Sequence, residues 1–147
     1  MENKIIEIQD KITGNENNLN PLVSIIILTY NSSKYVLETL ESAKAQSYRN
    51  IELIVSDDCS TDNTVEICEI WIEANKDCFI KSEIICTETN TGIPANCNRA
   101  LNNAKGEWIK YIAGDDILEK ECITSFVNFC LSEPKARIVE SISQFFK

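Results

Sequence analysis

Two pairs of adjacent carboxylates, Asp57-Asp58 and Asp115-Asp116, are the groups in this chain best suited to chemistry. Each follows a largely apolar run: Ile-Glu-Leu-Ile-Val-Ser over residues 51–56, and Trp-Ile-Lys-Tyr-Ile-Ala-Gly over residues 108–114. Paired carboxylates at the end of a buried strand repel each other and lose hydration, a cost that an adjacent cation offsets. A divalent ion bound through oxygen, Mg²⁺ or Mn²⁺, suits Asp115 and Asp116, and it would bridge the two phosphates of a ligand. The alternative is an ordinary acidic turn leading into a helix near Glu119. Asp57 and Asp58 are acceptor-only groups that suit a base donating at its pairing edge, such as uracil, thymine or guanine. Equally, they could cap a helix that begins near Thr61.

Two further polar clusters accompany the pairs. Thr29-Tyr30-Asn31 offers a hydroxyl, an aromatic face and an amide in succession. Tyr30 either stacks on a nucleobase or packs against its own loop. Asn90, Gly92, Asn98 and Arg99 form another group. There Arg99 either reaches a phosphate or base, or is a solvated charge on a helix face.

Composition narrows the ligand. The net charge of −9 is wrong for holding a nucleic-acid backbone, so no nucleic-acid partner is expected. The four glycines form neither a GxGxxG nor a GxxxxGK[ST] loop, so no amide-lined cradle is available for a diphosphate. A cation bridging carboxylate and phosphate would serve instead. Seven cysteines occur without a CxxC pair and without any histidine, which removes the usual zinc arrangements. They read as small buried apolar residues in a reducing compartment. No apolar stretch approaches the roughly 20 residues of a membrane-spanning helix. Residues 1–20 lack the apolar core of a signal peptide and read as a flexible leader, which places the chain in the cytoplasm, with the inner face of the membrane as a possible station.

The elements that must position these groups follow from periodicity. An apolar run over residues 22–28 suits a strand buried on both faces. Ser32 or Ser33 can cap a helix carrying Val36, Leu40 and Ala43 on one stripe. The alternation continues with a strand over residues 51–56, a helix over 61–75 with Val65, Cys68 and Ile72 inward, and a strand over 79–86. A helix opened by Pro94 is expected to bury Cys97, Leu101 and Ala104 and to end at Gly106. A strand over residues 108–112, a helix over 119–131 and a last strand over 137–143 complete the pattern. Alternation of this kind predicts an α/β fold, a mostly parallel sheet with helices on both faces. Ligands of such sheets bind beyond the carboxyl ends of the strands, where Thr29-Tyr30-Asn31, Asp57-Asp58 and Asp115-Asp116 fall, with the Asn90, Gly92, Asn98 and Arg99 group beside them.

In order and spacing these segments resemble the family 2 glycosyltransferases, which carry the GT-A fold with its Rossmann-like nucleotide-binding half. Residues 23–31 are similar to the family's opening strand and nucleotide-contacting turn. Residues 54–64, Ile-Val-Ser-Asp-Asp-Cys-Ser-Thr-Asp-Asn-Thr, resemble its VDDGSTDNT signature, with Cys59 in place of the glycine. Asn90-Thr91-Gly92, Asn98, residues 104–109 and Gly114-Asp115-Asp116 follow in register. The resemblance runs from Pro21 to about Ser143. It implies a transferase that moves a sugar from a UDP- or GDP-type nucleotide-diphosphate sugar to a saccharide or lipid-linked acceptor, as in polysaccharide biosynthesis, with metal assistance. By position, Thr29, Tyr30, Asn31, Asp57, Asp58, Asn98, Arg99 and Asp115 would line the nucleotide pocket, and Asp115 with Asp116 would hold the metal. Ala113 stands where the family often has a further aspartate, and Cys97 where many members have arginine, with Arg99 as the nearby cation.

Family members continue into an acceptor-binding half that usually supplies the general base. Residues 21–147 are therefore expected to be the nucleotide-sugar-binding domain of a longer enzyme, weakly active or inactive alone, with the base outside this chain and apolar surface that could support an oligomer. Two other classes compete. One is a non-catalytic GT-A-like binding or interaction module. The other is a receiver-like signalling domain, which needs acidic residues after the first strand and a lysine after the fifth, and the chain offers neither.

Overall fold

The apolar run of residues 22–28 forms the centre of a four-stranded, all-parallel sheet in the order β3-β2-β1-β4. The computed structural model describes residues 19–139. The strands are β1 (Val23–Thr29), β2 (Ile51–Asp57), β3 (Lys81–Cys86) and β4 (Trp108–Ala113), and the helices α1 (Val36–Lys44), α2 (Thr64–Asn75), α3 (Ile93–Asn103) and α4 (Cys122–Ser132). The expected leader over residues 1–18 lies outside the described residues. So does most of the expected last strand; its first residues, 137–139, are not in a strand.

Side chains alternate across a strand, so β1 and β2 supply two cores. Val23, Ile25 and Ile27 with Ile51, Leu53 and Val55 face one side. There they meet Val36, Leu40 and Ala43 of α1, Cys68 and Trp71 of α2, and Ile123 and Val127 of α4. Ile26 and Ile54 face the other side, against Ala100 and Ala104. Helices thus cover both faces, which is why the strand sequences are continuously apolar rather than alternating. Each wholly buried isoleucine or leucine contributes about 1.5–3 kcal/mol relative to exposure.

Several boundaries differ from expectation for local reasons. α2 begins at Thr64 rather than Thr61, because the preceding residues make side-chain bonds instead of helical ones: the Thr64 N–H donates to Asp62 Oδ1 at 3.0 Å. β3 begins at Lys81, after a 3₁₀ turn over Lys76–Cys78 that tucks Phe79 against Trp71, ring centroids 6.2 Å apart. α4 starts at Cys122. α3 buries Asn96 and Ala100, with Ala104 just beyond it, and not Cys97 and Leu101; Leu101 is 46% exposed. Two alanines let this helix approach the sheet closely, so its inner stripe lies one residue away from the larger apolar side chains.

Gly106 does not stop α3, which ends at Asn103. It is required for close approach: a Cβ there would collide with Ser24 Oγ and stand 2.8 Å from the Trp108 carbonyl oxygen. The Gly106 N–H donates to Ser24 Oγ and to Glu52 Oε1, 2.9 Å each. The wholly buried Glu52 carboxylate also accepts from Ser24 Oγ and the Lys105 N–H, fastening the turn into β4 to the core.

The cysteines depart from the expected burial. Cys68 and Cys130 are buried, Cys59, Cys97 and Cys122 are half-buried, and Cys78 and Cys86 are exposed; all seven are free thiols. Cys78 sits in the 3₁₀ turn and Cys86 at the end of a border strand, positions that no second layer covers. Among the described residues no helix is long and apolar enough to cross a membrane.

Candidate functional site

Because β2 and β4 both flank β1 in parallel, the turns following all three open at one edge of the sheet. Thr29 pairs in register with Asp57, and Leu28 with Ala113. Asp57-Asp58 and Asp115-Asp116 therefore emerge on the same side, on either flank of Thr29-Tyr30-Asn31. Two inter-strand spacings, about 10 Å, separate the two acidic strand ends.

Asp57 is 1% exposed and turned into the fold. The Thr29 hydroxyl donates to its Oδ2 at 2.7 Å, the Ser60 hydroxyl to the same oxygen at 2.6 Å, and the Ser60 N–H to Oδ1 at 2.7 Å. Asp58, 3% exposed, is more fully engaged. Its Oδ2 accepts the N–H groups of Thr91 and Gly92 at 2.9 and 2.7 Å, and its Oδ1 accepts the Thr91 hydroxyl at 2.6 Å and Arg99 Nη2 at 3.2 Å. Burial alone would raise the Asp58 pKa, but the bonds from Thr91, Gly92 and Arg99 outweigh it and hold the carboxyl below its ordinary value. The carboxylate thus folds the 90–92 loop onto β2.

The loops after β1 and β2 are laced together by side-chain to backbone bonds. Asn31 adopts φ 52°, its amide oxygen accepting the Thr61 N–H at 2.8 Å while its own N–H donates to Ser60 Oγ at 2.8 Å. The Ser33 N–H donates to Asp62 Oδ2 at 3.1 Å, and the Ser32 N–H to Thr64 Oγ1 at 2.8 Å. Asp62 is accordingly held at about 2; its slight burial acts upward, and the bonds from Thr64 and Ser33 override it. Between the anchored Thr29 and Asn31, Tyr30 is 51% exposed. Cys59 turns the chain out of β2 at φ 68°, its thiol lying 3.3 Å from the Glu88 carbonyl oxygen.

On α3, Arg99 Nη1 donates to Asn96 Oδ1 at 2.9 Å, and Nη2 donates to Thr91 Oγ1 at 2.7 Å as well as to Asp58. Asn98 is exposed beside it. Arg99 is therefore part of the crevice wall rather than a free surface charge.

On the β4 side Asp115 and Asp116 are both exposed. Asp116 Oδ2 accepts the Ala113 N–H at 3.3 Å. Gly114 lets the turn press on β1, since a Cβ there would lie 2.9 Å from both Thr29 Cγ2 and Ser32 Oγ. Among the described residues no group of three metal-ligating side chains gathers. The donor set present, two adjacent carboxylates, does not make a closed cage. It fits an Mg²⁺-type ion bound by one or two carboxylates and otherwise by water and phosphate oxygens.

All the residues expected at the site, Thr29, Tyr30, Asn31, Asp57, Asp58, Asn98, Arg99, Asp115 and Asp116, lie on the strand-end turns or the adjoining α3. The sequence reading gave no role to the residues that brace them: Ser56, Ser60, Asp62 and Thr91, quoted only within the matched motifs, and Asn96. Two signals were available. Ser56 is a polar residue on the α3-facing side of β2, which it shares with Glu52 and Ile54, and Asn96 stands one helical turn before Arg99.

Comparison with known proteins agrees with this geometry. The family model described as "Glycosyl transferase family 2" matches residues 24–146. A UDP-Glc:alpha-D-GlcNAc-diphosphoundecaprenol beta-1,3-glucosyltransferase, WfaP of Escherichia coli, is 40% identical over 114 residues, 76% of this chain and 42% of that protein. The poly(ribitol-phosphate) beta-N-acetylglucosaminyltransferase TarS of Staphylococcus aureus is 38% identical over 109 residues, 72% of this chain and 18% of that protein. The crystal structure of TarS residues 1–349 in complex with UDP superposes with a TM-score of 0.68 at 30% identity, covering 82% of this chain and 38% of that one. The mannosyltransferase PcManGT of Pyrobaculum calidifontis, in complex with GDP-Man and Mn²⁺, gives 0.68 at 26% identity, covering 76% and 32%. The chain spans less than half the length of such relatives.

Proposed function

The chain belongs to glycosyl transferase family 2, and we propose that its strand-end crevice binds a nucleotide-diphosphate sugar, of UDP or GDP type, for metal-assisted transfer of the sugar to a saccharide or lipid-linked acceptor. The observation that carries this is the parallel placement of β2 and β4 on either side of β1, which sets the two acidic pairs at one edge. A nucleoside lies along the β1–β2 side and its diphosphate extends toward β4.

Within that frame the residues divide by what remains free on each. Tyr30 offers its exposed face for stacking on the base. Asp57, 1% exposed, spends its oxygens on Thr29 and Ser60 and so fixes the two turns beside which the base lies. The Asp58 oxygens each accept two internal donors, so this carboxylate shapes the pocket by holding the 90–92 loop and Arg99. Three N–H groups of Arg99 are spent on Asn96, Thr91 and Asp58, leaving the rest of its five for base or phosphate oxygens. Asn31 sets the loop that presents Tyr30, and Asn98 lies at the rim. Asp115 and Asp116 would hold Mg²⁺ or Mn²⁺, which when bound supplies positive charge against the departing diphosphate. That supply matters because no glycine-rich cradle stands in for it. The residue that deprotonates the acceptor is not assigned among those described, and we place the reaction in the cytoplasm.

Calorimetric titration with UDP and GDP, each with and without Mn²⁺, tests this reading. Saturable binding that strengthens with Mn²⁺ is expected for at least one of them. Folded protein that binds neither nucleotide in the presence of the metal would overturn it.

A further inference from the structure

One inconspicuous polar side chain in the crevice wall is tightly constrained. Asn96 is 3% exposed, in the first turns of α3, facing the end of β2. Its Nδ2 donates to the Ser56 carbonyl oxygen at 2.9 Å. Its Oδ1 accepts two donors at once, the Ser56 hydroxyl at 2.6 Å and Arg99 Nη1 at 2.9 Å. This position asks for a donor and a double acceptor on one short, planar, uncharged group, and among side chains of this length only asparagine provides both.

We propose that Asn96 is a positioning residue of the nucleotide pocket, acting on the ligand through Arg99. A guanidinium fork has a fixed plane, so each acceptor that grips it removes a rotational freedom. Asp58 and Thr91 hold only Nη2, and Asn96 holds Nη1. Without Asn96 the fork pivots about Nη2, and the N–H groups left for the ligand lose their direction. The bond to Ser56 adds a second constraint. Ser56 directly precedes Asp57, so the same amide registers α3 against the base-binding end of β2. The charge and contacts of Arg99 are thereby converted into a preorganised donor pair, which lowers the ordering cost of binding. This inference rests on the nucleotide-binding reading of the crevice and adds a residue to it.

The test is a double-mutant cycle on UDP affinity in Mn²⁺, using the full 147-residue chain, with thermal melting recorded for every variant. Asn96→Ala and Arg99→Lys are each expected to weaken binding about tenfold, and the double variant to be no weaker than either alone. Asn96→Asp retains the acceptor facing Arg99 and is expected to bind UDP more tightly than Asn96→Ala, although a buried carboxylate facing the Ser56 carbonyl melts lower. Should Asn96→Ala lack a cooperative transition, the cycle is run with Asn96→Ser, whose shorter side chain does not reach Arg99. Independent, multiplying losses in the double variant would overturn the inference. So would an Asn96→Asp variant that binds worse than Asn96→Ala. The cycle is read with whichever of UDP and GDP the wild type binds, and wild-type protein that binds neither would instead remove the nucleotide site itself.

Discussion

Thr29 at the end of β1 and Asp57 at the end of β2 stand opposite in the parallel register, and the Thr29 hydroxyl donates to Asp57 Oδ2 at 2.7 Å. The bond joins the last rungs of the two central strands at the point where the sheet gives way to the crevice. Ser60 completes the shell of the same carboxylate from the next turn, so the acid is fixed by three donors before any ligand arrives. On the other flank of β1 the contrast is sharp. Asp115 and Asp116 are exposed, with one long bond from Ala113 between them. One acidic pair is built into the wall; the other is left facing solvent, as a group meant to share an ion with a ligand would be.

That difference sets the outcome at Asp115. Asp115→Asn is expected to reduce UDP affinity in Mn²⁺ to the value measured in EDTA, while changing stability by less than about 0.5 kcal/mol, since the residue is exposed. Calorimetry in the two buffers, paired with urea unfolding, checks both halves. Unchanged metal dependence would take Asp115 out of the role.

Gly114 governs how closely β4 approaches the end of β1. A methyl group added there meets Thr29 Cγ2 and Ser32 Oγ at 2.9 Å. Neither is the far end of a long flexible chain, so the β4 turn must move. Gly114→Ala is expected to cost about 1–3 kcal/mol of stability, the usual range for overpacking, and to weaken Mn²⁺-dependent UDP binding by displacing Asp115. Denaturant unfolding and titration together would show it; wild-type values in both would mean the turn adapts freely.

Much of this arrangement was legible in the sequence, and the parts that were not share a cause. Residues 22–28 and 51–56 announced buried parallel strands because every position is committed to one of two covered faces. The place of the acidic pairs at the strand ends was legible because each follows an apolar run, while their role stayed open between ligand binding and a helix cap or acidic turn. Periodicity placed the stripe of α3 on Cys97 and Leu101, whereas the sheet selected Asn96 and Ala100. Helical spacing gives a face only to within a residue, and here closeness of approach, which favours alanine, decided against size. The bracing residues escaped for another reason. Ser60, Asp62 and Asn96 bond backbone amides and carbonyls of segments distant in the chain, and Thr91 bonds the distant Asp58 carboxylate, and such pairings leave little signature in residue type.

Cys59 tests whether the turn out of β2 is strained. At φ 68° an L-residue costs about 1–2 kcal/mol, and a β-branched one more. Cys59→Val is therefore expected to lower stability by about 1–2 kcal/mol, whereas Cys59→Gly is neutral or stabilising, because relief of the left-handed strain offsets the greater entropy of glycine in the unfolded chain. Urea unfolding of both variants decides it. A valine variant as stable as the glycine variant would show that the turn relaxes out of the left-handed region.

Asp62 ties acid stability to the interlaced loops. Its carboxyl is held at about 2 by bonds from Thr64 and Ser33, and slight burial opposes this without reversing it. The ordinary value is 3.8, so the folded state binds the proton less tightly than the unfolded chain does. A depressed folded value contributes stability that is fully present above the unfolded value and is lost as pH falls through the folded one. The loss attributable to Asp62 therefore falls between about pH 4 and pH 2. Asp62→Asn lacks that titration: it is expected to be less stable than wild type at pH 7 and to lose less stability over the acid window. A slope remains in the variant because Asp58 is also depressed, by Thr91, Gly92 and Arg99. Unfolding midpoints measured in urea at pH 7, 4 and 2.5 give the comparison. Parallel pH profiles for the two proteins would mean that Asp62 carries the same proton affinity folded and unfolded, and that the bonds to Ser33 and Thr64 do not persist in solution.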